Sequence, residues 1–191
     1  MNLVAGIDEA GRGCWAGPVY AAAVILPKGC AIAGLRDSKK LSRKQRDRLA
    51  VEIRQKAKTW AVASADVHEI DTLNILQASL RAMKRAAESL RPAPQECWVD
   101  GLQVPSLNCR AKAIVGGDGI YPAIMAASIL AKVARDEEMM RMDHEFPGYG
   151  FAKHKGYGTE EHRLALQKLG PCPIHRCSFA PVACFKLVRN S

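Results

Sequence analysis

The sequence has 191 residues, of which 48% are hydrophobic and 25% charged, a composition typical of one soluble globular domain with its own core. No apolar run is long enough to cross a bilayer, and the amino terminus lacks the basic and apolar segments of a signal peptide. The 28 lysines and arginines exceed the 19 acidic residues and give a net charge of +9, which favours a polyanionic partner such as nucleic acid.

The first third of the chain alternates strand-like and helix-like segments. Residues 2–8 and 17–26 are rich in Val, Ile and Ala and predict two strands, separated by a glycine-bearing turn. Ser42 and Gln45 form a capping box that predicts the start of a helix with apolar residues at helical spacing. Residues 59–65 alternate loosely and predict a third strand.

A long helix is the strongest prediction in the middle of the chain. Asp71 or Thr72 is the expected cap, and the segment RPAP at 91–94 ends the helix. Its apolar face consists of Leu73, Leu76, Leu80, Met83, Ala87 and Leu90.

Two further strands are predicted after this helix, one ending at Asp100 and the other at Asp118. Pro122 suits the first turn of a helix over residues 122–142, and Thr159 caps a last helix that stops at Gly170. The order β-β-α-β-α-β-β-α with a helical tail predicts an α/β fold, in which helices flank a mixed sheet.

Seven cysteines are scattered along the sequence, and without a secretion signal they are expected to be reduced thiols in a cytoplasmic protein. Cys172, His175 and Cys177 lie close enough to suggest zinc, with Cys184 as the local candidate for a fourth ligand. The prolines beside Cys172 do not form the glycine turn of a zinc knuckle. Free thiols are therefore the favoured interpretation, and the roles of these three cysteines stay open.

Acidic residues mark three predicted strand ends, at Asp8-Glu9, Asp100 and Asp118. Successive side chains of a strand point to opposite faces, but a strand that ends in a glycine turn can direct both Asp8 and Glu9 to one side. Strand ends of open α/β sheets are common ligand sites. Four converging carboxylates repel one another unless a cation lies between them, and oxygen ligands suit Mg²⁺ or Mn²⁺. Ordinary turn chemistry is the alternative for each acid taken singly.

The segments that carry these acids resemble those of a known enzyme family. GIDEAGRGCWAGPVYAAAVIL, DSKKL, WVDG, GGDGIYPAIMAASILAKVARD, GYGFAKHKGYGT and IHRCSFAPV are similar, in this order, to the motifs of ribonuclease HII, the bacterial type 2 ribonuclease H. The resemblance extends from Gly6 to Val182, nearly the whole chain. DEAGRG followed by AASILAKVARD is its most specific part.

The resemblance implies an RNase H-like catalytic domain over residues 1–145 and a helical region over 146–191 that clamps the substrate and packs on the same core. It implies an endoribonuclease that cleaves the RNA strand of RNA–DNA hybrids and single ribonucleotides embedded in duplex DNA. Two-metal hydrolysis with Mg²⁺ or Mn²⁺ would leave 5′-phosphate and 3′-hydroxyl ends. A monomer without a membrane partner is expected.

Individual roles are also implied by the resemblance. The carboxylates that would bind metal and act in catalysis are Asp8, Glu9, Asp100 and Asp118. The residues that would contact the substrate are Gly11, Arg12, Gly13, Lys39 and Tyr157. Telling RNA from DNA requires contact with the 2′-hydroxyl, which glycine allows the backbone to approach and on whose sugar a tyrosine ring can stack. A plain tight turn, and simple packing of the tyrosine, are the alternatives.

Further phosphate contacts are expected from Lys40, Lys132, Lys153 and Lys155, with neutral hydrogen bonds from Ser38 and Ser128. Asp136 is a competing acid that we interpret as structural, and His154 is assigned no chemical role.

Three other functions would account for part of this pattern. Ribonuclease HIII carries an extra N-terminal domain, for which Asp8 stands too near Met1. A catalytically inactive nucleic-acid-binding protein on a nuclease fold would tolerate loss of the acids, yet all four are present. A transposase-like or resolvase-like nuclease would share the acids but would have no use for GRG or Tyr157.

Overall fold

Five strands form one mixed sheet in the computed structural model, which describes residues 3–187. They are β1 (Val4–Ala10), β2 (Val19–Ile25), β3 (Thr59–Ala65), β4 (Glu96–Asp100) and β5 (Arg110–Ile114). Their order across the sheet is β3-β2-β1-β4-β5. The pairs β1–β2 and β2–β3 are antiparallel, whereas β1–β4 and β4–β5 are parallel. The predicted mixed sheet is confirmed.

Helices cover both faces of this sheet, as predicted. The helices within the described residues are α1 (Arg43–Lys56), α2 (Val67–Leu73), α3 (Ile75–Glu88), α4 (Pro122–Glu145), α5 (Phe151–His154), α6 (Glu160–Leu169) and α7 (Ala180–Leu187). Two short 3₁₀ turns, Ser38–Lys40 and Gly117–Gly119, lie at the ends of loops. Within the described part of the chain, no helix is both long and apolar enough to span a membrane.

The alternation of side chains along β2 builds two apolar cores, one on each face. Ala21 and Ala23 are buried with side chains from α2 and α3, whereas Ala22 and Val24 are buried with side chains from α1 and α4. The central strands are therefore apolar on both sides, which leaves the sheet's end as the place for polar groups.

Helix α4 approaches β1 closely enough to contact its backbone. A Cβ atom at Gly6 would lie 2.1 Å from the carbonyl carbon of Ala123, so only glycine fits there. Pro122 occupies the first turn of α4, as predicted. This close packing brings the first turns of α4 over the carboxyl end of β1.

The predicted start of the long helix, at Asp71 or Thr72, is wrong. Asp66 and Glu69 form a capping box that begins α2 earlier in the chain. Asn74 then adopts a φ of 74°, ends α2 and caps α3 through its own side chain. The chain thus contains two helices, because the positive φ of Asn74 cannot be accommodated within a right-handed α-helix. Asp71 instead accepts hydrogen bonds from the C-terminal segment at residues 177–178.

The face that α3 presents to the sheet consists mostly of small side chains. Met83, Ala87 and Leu90 of the predicted face are buried, whereas Leu76 and Leu80 are only partly buried. The buried side chains of α3 are Ala78, Ser79, Ala82, Met83, Ala86 and Ala87. Because these side chains are small, α3 lies close to the sheet. The larger side chains of Leu76 and Leu80 lie at the edge of this contact.

Two strand ends differ from the predictions. The first strand extends through Ala10 instead of ending at Asp8, and residue 2 of the predicted range lies outside the described residues. The last strand ends at Ile114, and Asp118 lies in the 3₁₀ turn Gly117–Gly119. Gly116 adopts the left-handed conformation (φ 67°) that directs the chain into this turn.

The other predicted elements are confirmed within a few residues. Ser42 and Gln45 form the predicted capping box of α1, and β3 has the predicted bounds. Thr159 caps α6, and Gly170 follows its last residue. The short helices α5 and α7 were not predicted, since α5 is a single turn between glycines.

The segment after α4 packs on the same body. Phe151 and Leu166 form a third buried cluster with Ala16 and Met139. The Arg176 amide donates to the Trp15 carbonyl at 2.8 Å, which ties this segment to the β1–β2 loop. Helix α4 ends at Glu145; the division into regions 1–145 and 146–191 stays a prediction, and residues 188–191 lie outside the described residues.

Candidate active site

Three of the four predicted carboxylates meet at the carboxyl end of β1 and β4. These strands are parallel with Ile7 beside Val99, so Asp8 and Asp100 follow as neighbours on one face. Asp118 arrives from its 3₁₀ turn, and its amide donates to Asp100 Oδ1 at 3.3 Å. One carboxylate oxygen from each of the three lies within 4.8 Å of the others.

The carboxylate cluster of Asp8, Asp100 and Asp118 carries unfavourable electrostatics. Burial raises the pKa of Asp8 well above its usual value, and the nearby charges of Glu9 and Asp100 raise it further. Burial and the charge of Asp118 likewise raise the pKa of Asp100. A divalent cation would remove this repulsion, and an all-oxygen donor set of this size fits Mg²⁺ or Mn²⁺.

Two buried serines support the cluster from below. Ser128 on α4 donates a hydrogen bond to Asp8, which partly offsets the rise in its pKa. The hydroxyls of Ser38 and Ser128 are 2.8 Å apart, and both residues are only 4% exposed. The expectation that these serines contact a phosphate is therefore wrong, since their hydroxyls are engaged inside the protein.

Glu9 lies outside the carboxylate cluster. Because β1 continues through Ala10, Glu9 obeys strand alternation and shares the face of Ile7, which packs toward α3. Its carboxylate pairs with Arg12 at 3.4 Å. Burial raises the pKa of Glu9, the Arg12 charge lowers it, and the charge of Asp100 raises it again. The expected turn of both acids to one side does not occur, although Glu9 remains electrostatically linked to the cluster.

Lys39 reaches the cluster from the 3₁₀ turn that Asp37 caps. Its Nζ is 3.3 Å from Asp118 Oδ2, and its side chain is 79% exposed. The structure thus brings this predicted substrate contact to the edge of the carboxylates. Two of the other expected phosphate contacts already have partners, because Lys132 pairs with Asp136 at 2.7 Å and Lys153 with Glu161 at 2.8 Å.

The GRG segment follows β1 directly and lies beside Glu9. Gly11 has a φ of 99°, and a Cβ there would lie 2.0 Å from Nε of Arg135, so its glycine is required. Arg12 and Gly13 are exposed. Nothing lies within 4 Å of the Cβ position of Gly13, which leaves room for a ligand.

Tyr157 lies next to the GRG segment, as the resemblance implied. The Trp15 amide donates to the Gly156 carbonyl at 2.8 Å and joins the two loops. Tyr157 is 42% exposed, and Lys132 Nζ and Arg135 Cζ lie 5.4 Å and 5.8 Å from the centroid of its ring. Burial raises the pKa of Tyr157, and the neighbouring Cys14 raises it further, so its hydroxyl stays protonated.

Two fully buried arginines, which sequence reasoning missed, lie beneath these loops. Arg135 donates to the carbonyls of Ala16, Pro18 and Lys155 at 2.9–3.2 Å. Arg176 donates to three carbonyls of the GRG loop, residues 11–18 between β1 and β2. Arginine is usually exposed, so the residue type gave no signal; their only sequence signal was their place inside the resembling motifs ARD and IHRCSF.

A cluster of three buried histidines holds the loop of Tyr157 from the other side. The Cys172 amide donates to His175 Nδ1 at 2.9 Å, so His175 Nε2 donates to His162 Nε2 at 3.0 Å. His162 Nδ1 then donates to the Tyr157 carbonyl at 2.9 Å. His154 stacks on His162 with ring centroids 4.4 Å apart. His154 thus has a structural place, in agreement with its lack of an assigned chemical role.

The remaining candidates are structural. Asp136 is buried and contacts Lys132 and Arg46, as interpreted from the sequence. All seven cysteines are free. Among residues 3–187, the carboxylate cluster is the one group of three or more His, Cys, Asp or Glu side chains placed to hold a metal ion, so the suggested zinc site receives no support.

We predict that Asp8→Asn stabilises the metal-free protein, because it removes a buried charge that its neighbours repel. The free energy of unfolding should rise on the order of 1 kcal/mol in urea titrations with EDTA. Mn²⁺ should raise the melting temperature of the wild type but not of this variant. The matched control, Asp136→Asn, removes a buried aspartate that is paired and should lower stability while keeping the Mn²⁺ effect. A metal-free Asp8→Asn protein less stable than the wild type would contradict the prediction.

A second prediction concerns the loss of stability at acidic pH. Burial lowers the pKa of His162 and of His175 to about 4, below the usual 6.5 of an unfolded chain. Between these values the unfolded state binds more protons, so each histidine's contribution to stability is present above pH 6.5 and is lost as the pH falls toward 4. The loss by pH 5 should be on the order of 2 kcal/mol for each ring.

Urea titrations at pH 7 and pH 5 measure this loss. The carboxylate cluster acts in the opposite direction, so the comparison is between the wild type and His162→Gln, which should lose less stability on acidification. Substitution of the exposed His144 by Gln is the control and should change nothing. If the free energy of unfolding fell equally for the wild type and for His162→Gln between pH 7 and pH 5, the lowered pKa of His162 would not explain the acid sensitivity.

Comparisons with known proteins agree with this geometry. The family model for ribonuclease HII matches residues 5–182. The ribonuclease HII of Bordetella pertussis is 54% identical over 183 residues, covering 96% of this chain and 91% of the relative. That of Halorhodospira halophila is 56% identical over 182 residues, covering 94% and 92%. The crystal structure of ribonuclease H2 from Pyrococcus horikoshii OT3 superimposes with a TM-score of 0.82 at 25% identity, covering 98% of this chain and 99% of that one.

These matches confirm the expected RNase H-like fold and the expected ribonuclease activity. They give no support to an inactive nucleic-acid-binding protein, and the matching model is that of ribonuclease HII, not of its companion type. The chain belongs to the ribonuclease HII family.

Proposed function

We propose that this chain cleaves the RNA strand of RNA–DNA hybrids, and single ribonucleotides embedded in duplex DNA, by two-metal hydrolysis. The observation that carries the proposal is the juxtaposition of two groups at one end of the sheet. The carboxylate cluster could hold the metals, and the GRG segment with Tyr157 could contact the sugar. A metal-dependent nuclease without sugar specificity would need only the first group.

Asp8, Asp100 and Asp118 would hold the divalent ions, Mg²⁺ or Mn²⁺, and Glu9 would join them from the opposite face at the end of the sheet. When bound, such ions activate the attacking water and neutralise charge on the departing 3′-oxygen, which leaves 5′-phosphate and 3′-hydroxyl ends. Asp8 is buried and held by Ser128, so it is preorganised for this task. Lys39 beside Asp118 would hold the phosphate at the edge of the cluster.

The sugar would be recognised by the GRG segment and Tyr157. The exposed backbone of Arg12 and Gly13 can approach the 2′-hydroxyl, while the half-exposed ring of Tyr157 can stack on the ribose. The open space at Gly13 supports this role. In this mechanism the 2′-hydroxyl is recognised and takes no part as a nucleophile, which agrees with the burial of His154, His162 and His175, the histidines nearest Tyr157.

The rest of the basic surface would bind the duplex backbone. Lys40, Lys153 and Lys155 lie near the site motifs, and we expect residues 146–191 to clamp the duplex. We further propose a monomer that acts in the cytoplasm, where free cysteines are stable.

We predict that the wild type cuts a labelled DNA duplex containing one ribonucleotide, on the 5′ side of the ribose, and leaves the all-DNA duplex intact. Asp100→Asn should reduce cleavage by at least about a thousandfold, because it removes a metal ligand, while duplex affinity changes less than about threefold. Gel assays in Mg²⁺ and in Mn²⁺ measure both. Cleavage of both duplexes would refute the proposed recognition of the ribose. Tight binding without cleavage by the wild type would refute the proposed nuclease activity.

We also predict that two substitutions of Tyr157 affect activity differently. Tyr157→Ala should lower kcat/KM on the single-ribonucleotide duplex by about tenfold or more, because stacking on the sugar is lost. Tyr157→Phe keeps the ring and should retain most of the activity. Since the ring is partly exposed, neither variant should change the melting temperature by more than a few degrees. Equal activity of both variants and the wild type would exclude the stacking role.

A further inference from the structure

We propose that Arg176 is a positioning residue that directs the backbone amides of Arg12 and Gly13 toward the sugar of the substrate. The inference deepens the proposed function and rests on it, since it explains how the GRG segment is held for reading a ribonucleotide.

The guanidinium of Arg176 is fully buried and binds three carbonyls of one loop. Nη2 donates to the Gly11 carbonyl at 2.7 Å and Nη1 to the Arg12 carbonyl at 2.8 Å. Nε donates to the Gly17 carbonyl at 2.9 Å. A planar guanidinium presents these donors in a rigid fork, so it fixes the orientation of both peptide groups at once.

The planarity of the peptide bond converts this anchoring into a direction for the amides. In a trans peptide, the carbonyl of one residue and the N–H of the next point in opposite directions. Because the carbonyls of Gly11 and Arg12 point inward to Arg176, the N–H groups of Arg12 and Gly13 point outward. Both residues are exposed, and within the described residues neither amide donates to a carbonyl or side chain. Two such neighbouring N–H groups form a concavity for an oxygen atom.

The electrostatics of Arg176 indicate more than packing. Within the described residues no carboxylate lies within 4.0 Å of its guanidinium. Burial lowers its pKa to about 10, so the group is still charged at neutral pH. A buried cation without an ionic partner is unfavourable compared with an apolar side chain of similar size. Its positive charge, behind the peptides of Gly11 and Arg12, would also strengthen the outward N–H groups as donors.

If Arg176 served only to attach the C-terminal segment, its side chain would not need to bind the carbonyls of the GRG segment. The Arg176 amide already joins this segment to the Trp15 carbonyl, and Phe179 packs 5.2 Å from the guanidinium. Two of the three carbonyls that the side chain binds belong to the GRG segment itself. The side chain therefore serves the orientation of that segment.

The test measures sugar discrimination, which a loss of packing alone would not change. Duplexes with one ribonucleotide and with DNA only are titrated with protein in Ca²⁺ in place of Mg²⁺, and intact strands are verified on denaturing gels. The ratio of the two dissociation constants should fall by at least about fivefold in Arg176→Lys and in Arg176→Gln. Affinity for the all-DNA duplex should stay within about twofold, since that affinity comes from phosphate contacts.

The matched control is Arg46→Lys. Arg46 is also largely buried and donates to two backbone carbonyls, those of Ser38 and Leu41, but lies outside the GRG loop. Its substitution should leave the discrimination ratio unchanged. If the wild type discriminates and both Arg176 variants discriminate equally well, the positioning role is overturned while the proposed function stands. If the wild type does not discriminate, the sugar check and the positioning role are both overturned.

Nuclear magnetic resonance of the native protein provides a second test if the variants do not fold. Four separate, slowly exchanging Nη–H signals are expected for Arg176, since its guanidinium is held at both ends. The Arg12 and Gly13 amides should exchange rapidly in the free protein and become protected by the ribonucleotide duplex, but not by the all-DNA duplex. Averaged Nη signals, or amides that respond equally to both duplexes, would overturn the inference.

Discussion

Repulsion among buried carboxylates is the constraint on which the site depends. The parallel pairing of β1 with β4 forces Asp8 and Asp100 into neighbouring positions, and burial makes their negative charges costly. The apolar cores on both faces of the sheet stabilise the fold enough to tolerate this cost. Close packing of α4 against Gly6 places Ser128 beneath Asp8. The cluster is thus held in a conformation in which a bound cation would relieve the repulsion.

The loops above the cluster are organised by buried polar groups from distant parts of the chain. Arg135 comes from α4 and Arg176 from the segment before α7, yet both donate to carbonyls of the β1–β2 loop. The histidine cluster holds the Tyr157 carbonyl in the same way. Burying charged or polar groups costs desolvation free energy. They are therefore found here where loop backbone, which has no helix or strand to fix it, must be held in one orientation.

Local patterns predicted most elements because they depend on neighbouring residues. The capping box at Ser42, the proline that begins α4 and the threonine cap of α6 were all predicted and are all present. Errors arose where two signals competed. Asn74 interrupts a continuous apolar periodicity by adopting a positive φ, and the periodicity alone did not reveal it. Likewise β1 continues past Asp8, because its pairing with β2 extends through Ala10.

By itself, the sequence determined the order of elements, the apolar strands and the acids that follow them, since these depend on residue type and spacing along the chain. Its motifs also determined the family. Only the tertiary structure decided that three carboxylates meet while Glu9 lies on the opposite face, because strand register and alternation are set by pairing between distant segments. It alone decided that Arg176 lies beneath Gly11, a contact across more than 160 residues that no local pattern encodes.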